Sequence, residues 1–68
     1  MADVVNLINL EPGDKLAISN GATVEVATNP RDGVWVFACY LSFPDNPSLV
    51  GTEEMFFAQD VVEVLESA

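Results

Sequence analysis

The run Val34-Trp35-Val36-Phe37-Ala38-Cys39-Tyr40-Leu41 constrains the fold more than any other part of the chain. Every residue in it is apolar or aromatic. Asp32-Gly33 stands just before it and Pro44 soon after. Such a run fits a strand with both faces covered, or with one face covered and the other presented to a partner. Length alone would permit a helix, but Val34, Trp35, Val36, Phe37 and Tyr40 all prefer extended backbone. The run is read as the central strand of a small β domain.

The rest of the chain is punctuated around it. Val4 to Leu10 suits neither a clean strand nor a clean helix. Glu11-Pro12-Gly13-Asp14 makes a turn, because proline presets one turn dihedral and glycine takes the positive one. Lys15-Leu16-Ala17-Ile18 is a short strand with Leu16 and Ile18 on one face. Asn20-Gly21 between two alternating runs is a strong hairpin signal. The returning strand spans Ala22 to Thr28, with Val24 and Val26 alternating against Thr23, Glu25 and Ala27. Asn29 to Gly33 turns the chain into the central strand. Phe43 to Thr52 is the longest connection, and its two prolines and one glycine argue against regular structure. Phe43, Leu49 and Val50 within it form either a lid folded back on the domain or part of a recognition loop. Glu53 to Ala58 is a fourth strand with Met55 and Phe57 on one face and Phe56 on the other. Ala58-Gln59-Asp60 suits one 3₁₀ turn. Val61 to Leu65 closes as a fifth strand with Val62 and Val64 inward. Residues 1–68 are read as one domain.

Composition narrows the chemistry. The chain has a single cysteine and no histidine, so zinc sites, Cys-His sites and Ser-His-Asp sites are excluded within one chain. Cys39 lies in the most apolar run and is expected to be an inert core residue. No cofactor is called for: no glycine-rich phosphate loop is present, and no loop has the alternating Asp spacing of a calcium site. Glu53 and Glu54 are adjacent on a strand, so they point to opposite faces and do not form an acid-base pair. Met1-Ala2-Asp3 carries no positive side chain, so a signal peptide is not expected, and a cytoplasmic location follows as the expectation. Eleven acidic residues face two basic ones, Lys15 and Arg31, for a net charge of -9. A field of that sign repels phosphate and disfavours direct binding of nucleic acid or an anionic membrane. It favours a basic partner, or serves only solubility.

The order of elements resembles a known architecture. Pro12-Gly13-Asp14 before the first strand, Asn20-Gly21 in the first hairpin, and Phe57-Ala58-Gln59-Asp60-Val61-Val62-Glu63-Val64 at the end carry the resemblance. Three meandering strands, a longer loop, a fourth strand, a 3₁₀ turn and a closing strand resemble an SH3-like barrel. KOW and Tudor modules, the small stromal photosystem I subunit and β-subunit domains of nitrile hydratases share that form. The resemblance implies an all-β, five-stranded barrel with one 3₁₀ turn before the last strand. It brings no functional residues with it, because the fold hosts unrelated functions. Gly51-Thr52-Glu53-Glu54-Met55-Phe56-Phe57 is similar to a strand of the acidic SH3-like bacterial antirepressor of the carotenoid operon, which imitates DNA. The chain departs from nucleic-acid-binding KOW modules in lacking a basic surface.

A binding surface follows from the central strand. Trp35 and Phe37 share one face of it and Val36 and Tyr40 the other, and a five-stranded barrel has a single interior. Outward aromatics with nearby acids hold basic or proline-rich segments in several SH3-like modules. The candidate residues are Trp35, Phe37, Tyr40 and Phe43, with Asp32, Asp45, Glu53 and Glu54 around them. The competing reading gives the aromatics to the core and to a self-association interface. Two functions stay open: a non-catalytic module for a basic protein or peptide, with a DNA-mimicking regulator as its sharper form, and a structural accessory subunit or homodimer.

Overall fold

The bulky alternating residues of the chain settle into five antiparallel strands in a single sheet. The computed structural model describes residues 7–67. The strands are β1 (Lys15–Ile18), β2 (Thr23–Thr28), β3 (Trp35–Ser42), β4 (Glu53–Phe57) and β5 (Val61–Glu66), in the spatial order β4-β3-β2-β1-β5. The central run is thus an inner strand of the sheet, flanked by β2 and β4. Its partners are set by register: Phe37 lies opposite Met55, Trp35 opposite Phe57, and Val24 opposite Tyr40.

Turn chemistry fixes the meander. At the first hairpin Gly21 takes φ of 91°, the Asn20 side-chain oxygen accepts the Ala22 N–H at 2.9 Å, and the Ile18 N–H reaches the Ala22 carbonyl. At the preceding turn the buried carboxylate of Asp14 accepts the Glu11 N–H at 2.9 Å. Gly33 takes φ of 81° and stands so close to Ile8 that an added Cβ would lie 3.2 Å from it. Both facts keep that position for glycine.

One face of the sheet is the core. Leu16, Ile18, Val24, Val26, Val36, Ala38, Tyr40, Phe56 and Val61 are buried there, and Leu7 and Leu10 join them from a short 3₁₀ turn at Leu7–Asn9. That turn is tied down by Asn29, whose amide nitrogen donates to the Leu7 and Leu10 carbonyls at 2.6 and 2.9 Å. Arg31 adds a bond to the Ile8 carbonyl and an ion pair with Glu11, both at 3.0 Å. The part of the Val4–Leu10 reading that concerns residues 4–6 falls outside the described residues. The radius of gyration, 10.9 Å, is that of a compact chain of this length.

Several sequence expectations need correction. The barrel is not closed: β4 and β5 are the outermost strands, and among the described residues they do not pair with each other. The Phe43–Thr52 connection contains a 3₁₀ turn at Pro47–Leu49, started by the proline at its first position. Within that connection Phe43 and Leu49 pack against the core as a lid, whereas Val50 remains exposed. Cys39 is half-buried on the outer face and is not a core residue.

The last strand departs from its expected alternation for a specific reason. Val61 lies opposite Ile18 and Glu63 opposite Ala17, so Val62 is the extra residue of a bulge. Glu66 opposite Lys15 makes Leu65 a second extra residue. Val62 is 58% exposed instead of inward. Val64, opposite Leu16, keeps the inner face but stays partly exposed at the edge of the sheet. No helix among the described residues is long and apolar enough to cross a membrane.

Candidate binding surfaces

The eight residues singled out in the sequence separate onto two faces and two loops. On the outer face, Trp35 and Phe37 meet edge to face with ring centroids 4.8 Å apart. Residues opposite one another in a ladder share a face, so Met55 joins Phe37 and Phe57 joins Trp35. Met55 and Phe57 are 41% and 40% exposed. The next row of the same face runs Glu25, Cys39, Glu53, which borders the apolar stripe with a carboxylate on each side of the thiol. The result is an apolar stripe of three aromatic residues and a methionine, acidic at one end.

Tyr40, Phe43 and Glu54 belong to the other face. Tyr40 is buried, stacks on Phe43 at 5.4 Å with planes 6° apart, and meets Phe56 edge-on at 5.4 Å. Its hydroxyl donates to a carboxylate oxygen of Glu54. Glu53 and Glu54 do diverge to opposite faces, as their adjacency requires. Asp32 and Asp45 stay exposed in loops, where Asp32 accepts the Val34 N–H at 3.0 Å and so shapes the entry to β3.

A cleft of about 260 Å³ opens beside Tyr40, lined by Ile18, Ser19, Asn20, Tyr40, Glu54, Met55, Phe56 and Asp60. It lies between the β1–β2 hairpin, the 3₁₀ turn Ala58–Asp60 and β4. The Ser19 N–H donates to the Asp60 carbonyl at 2.9 Å and holds hairpin and turn together. Asn20, Ser19 and Asp60 were not singled out by sequence reasoning, because only the β1–β5 pairing brings residues so far apart in the chain to one place. Met55 and Phe57 carried a legible signal: their alternation with Glu54 and Phe56 puts them on the same face as Glu53.

Burial, reinforced by the bond to Glu54 and by its negative charge, pushes the Tyr40 hydroxyl up to about 12, with Asn20 acting in the opposite direction. The folded chain therefore holds this proton more tightly than the unfolded chain, whose tyrosine ionises near pH 10. The stability carried by the neutral hydroxyl is complete below pH 10 and drains away as the pH rises towards 12. Because the chain has one tyrosine, absorbance titration of the phenolate reads this group alone. The expected midpoint lies well above 10 in the native protein and returns to about 10 in denaturant. A native midpoint at the ordinary value would mean that Tyr40 faces solvent.

Both cations of the chain are engaged within it: Lys15 lies 3.7 Å from Glu66, and Arg31 pairs with Glu11. The remaining carboxylates set the sign of the surface around both regions. Comparison with protein-family models, with curated proteins and with solved structures found no match to this chain.

Proposed function

We propose that the chain is a non-catalytic, acidic interaction module that binds a basic protein surface or segment, built on an open five-stranded sheet with the strand order of an SH3-like fold. The strand order β4-β3-β2-β1-β5 and the 3₁₀ turn between β4 and β5 support the SH3-like reading, with the sheet left open between β4 and β5. The observation that carries the functional reading is the outer stripe of Trp35, Phe37, Met55 and Phe57 set beside Glu53 and Glu25 in a chain of net charge -9. Aromatic faces and a methionine supply adaptable contact area, and cations pack favourably on aromatic rings. The surrounding negative field speeds encounter with a positive partner and sets its sign. Action as a DNA mimic towards a basic regulator is one form of this function.

The test uses the single tryptophan as its own reporter. Titration with an arginine-rich peptide should change Trp35 emission, and the affinity should fall by at least about tenfold between roughly 0.05 and 0.5 M salt. A neutral peptide of the same length should leave the emission unchanged. Equal response to both peptides, or a salt-independent affinity, would sink the charge-driven reading.

The second reading, a structural subunit or homo-oligomer, rests on the outermost position of β4 and β5 and on the exposure of Met55, Phe57 and Val62. Light scattering separates the two. A monomer at low and high salt supports binding of a foreign partner. A dimer that persists at high salt puts self-association first, since apolar contacts survive where charge contacts are screened.

A further inference from the structure

The edge of β4 offers more than exposed side chains. Antiparallel ladders alternate between residues whose backbone groups face the neighbouring strand and residues whose groups face away. The Tyr40 N–H donates to the Thr52 carbonyl at 2.9 Å, and the Ala58 N–H to the Val34 carbonyl at 2.9 Å. With Ala38 opposite Glu54 and Val36 opposite Phe56, these bonds fix the alternation along the strand. Glu54 and Phe56 turn their backbone groups towards β3. The N–H and C=O groups of Glu53, Met55 and Phe57 point the other way, where no strand among the described residues takes them up. An open edge of this kind is a template for another extended chain.

The side chains beside this edge specify what that chain would carry. On the outer face it would run past Met55 and Phe57, both partly exposed and backed by Phe37 and Trp35. On the inner face it would run past the 260 Å³ cleft, which Glu54, Met55 and Phe56 line along β4 and Asp60 lines from the turn before β5. Successive residues of a strand alternate between these faces. Lys15 and Arg31 are occupied by Glu66 and Glu11, so neither cation competes for the cleft. A second copy of the chain, also at -9, would meet the same carboxylates with like charge.

We propose that the free edge of β4 takes up an extended basic segment as an added strand. Its cationic side chains enter the cleft between Glu54 and Asp60, and the alternate apolar ones lie on Met55 and Phe57. The inference rests on the proposed basic-partner function and gives that partner a shape: an extended stretch in which Lys or Arg alternates with apolar residues. Main-chain bonds would give it affinity, and the alternation its specificity.

The test compares a short peptide of alternating lysine and valine with the same peptide methylated on its backbone amides. Methylation keeps the charge and the side chains but removes the hydrogen bonds. The first should bind the full chain and shift the amide resonances of Glu53, Met55 and Phe57. The second should bind at least about tenfold more weakly. Asp60→Asn should weaken the first peptide several-fold without moving the thermal midpoint, because no other side chain among the described residues bonds to that carboxylate. Equal binding of both peptides would overturn strand addition while leaving the basic-partner function standing. Failure of both to bind at low salt would overturn the two together. Unchanged affinity in Asp60→Asn would remove the cation from the cleft. A dimer that forms without peptide and shifts the same three amides would replace the basic segment by a second copy.

Discussion

Replacing Leu16 with alanine is expected to lower the stability of this protein by about 3 kcal/mol and its thermal midpoint by about 15 °C or more. Leu16 has no exposed surface and sits on β1, between β2 and β5 in the sheet. Val24 lies opposite it on one side and Val64 on the other. Truncation removes three buried carbons and leaves a cavity that two neighbouring strands would have to move to fill. A domain of this size has a total stability on the order of 5 kcal/mol, so the loss takes most of it. The change has a second consequence, because among the described residues β5 has no sheet partner except β1. Loosening β1 releases the end of the fold as well. Thermal unfolding followed by far-ultraviolet circular dichroism, with Trp35 emission as a second probe, measures both. A midpoint lowered by less than about 5 °C would mean that Leu16 is not packed as described.

The other large effect falls on a polar side chain. Asn29→Ala is expected to cost about 2 kcal/mol, and Asn29→Asp more than that. Asn29 donates to the Leu7 and Leu10 carbonyls, and its side-chain oxygen accepts the Arg31 N–H at 2.8 Å. One amide thus joins the 3₁₀ turn at Leu7–Asn9 to the loop that leads into β3. Alanine leaves both carbonyls without this donor. Aspartate is worse, since it presents a carboxylate oxygen to them where the amide nitrogen stood, and like partial charges repel. Urea denaturation ranks the three proteins. Amide exchange at Leu10, whose N–H bonds to the Leu7 carbonyl at 3.1 Å, shows whether the turn has come loose. A ranking with aspartate milder than alanine would mean that the two donor bonds do not hold the turn.

The sequence was most legible where side-chain period and turn chemistry agreed. Leu16, Ile18, Val24 and Val26 point inward as their alternation demands, and Asn20-Gly21 turns the first hairpin. Met55 and Phe57 face away from Phe56 for the same reason. It was least legible where a strand gains a residue. Nothing in Val61-Val62-Glu63-Val64-Leu65 announces two bulges, because a bulge is a property of the pairing with β1 and not of the strand itself. Leu41 repeats the lesson on β3. Ser42 lies opposite Thr23 and Tyr40 opposite Val24, so Leu41 is the surplus residue and stands exposed.

The candidate site divided for a related reason. Tyr40 lies an odd number of positions from Trp35 and Phe37, which already put it on the other face; its place beside Glu54 depends on the offset of β4 against β3. Such an offset is set by the whole sheet and is not encoded in either strand alone. The cleft was illegible for the same cause, since its walls come from β1, β3, β4 and the turn before β5.

The two edges that β4 and β5 leave open among the described residues give the acidic charge a further role. β4 and β5 each end the sheet with apolar residues in view, and molecules so built would otherwise stack edge to edge into filaments. At neutral pH a charge of -9 on every molecule keeps such edges apart. That protection vanishes on acidification towards the isoelectric point near 4.1, where dye binding and turbidity should report fibrous or amorphous precipitate. The carboxylates would then set the lowest pH at which the protein stays in solution.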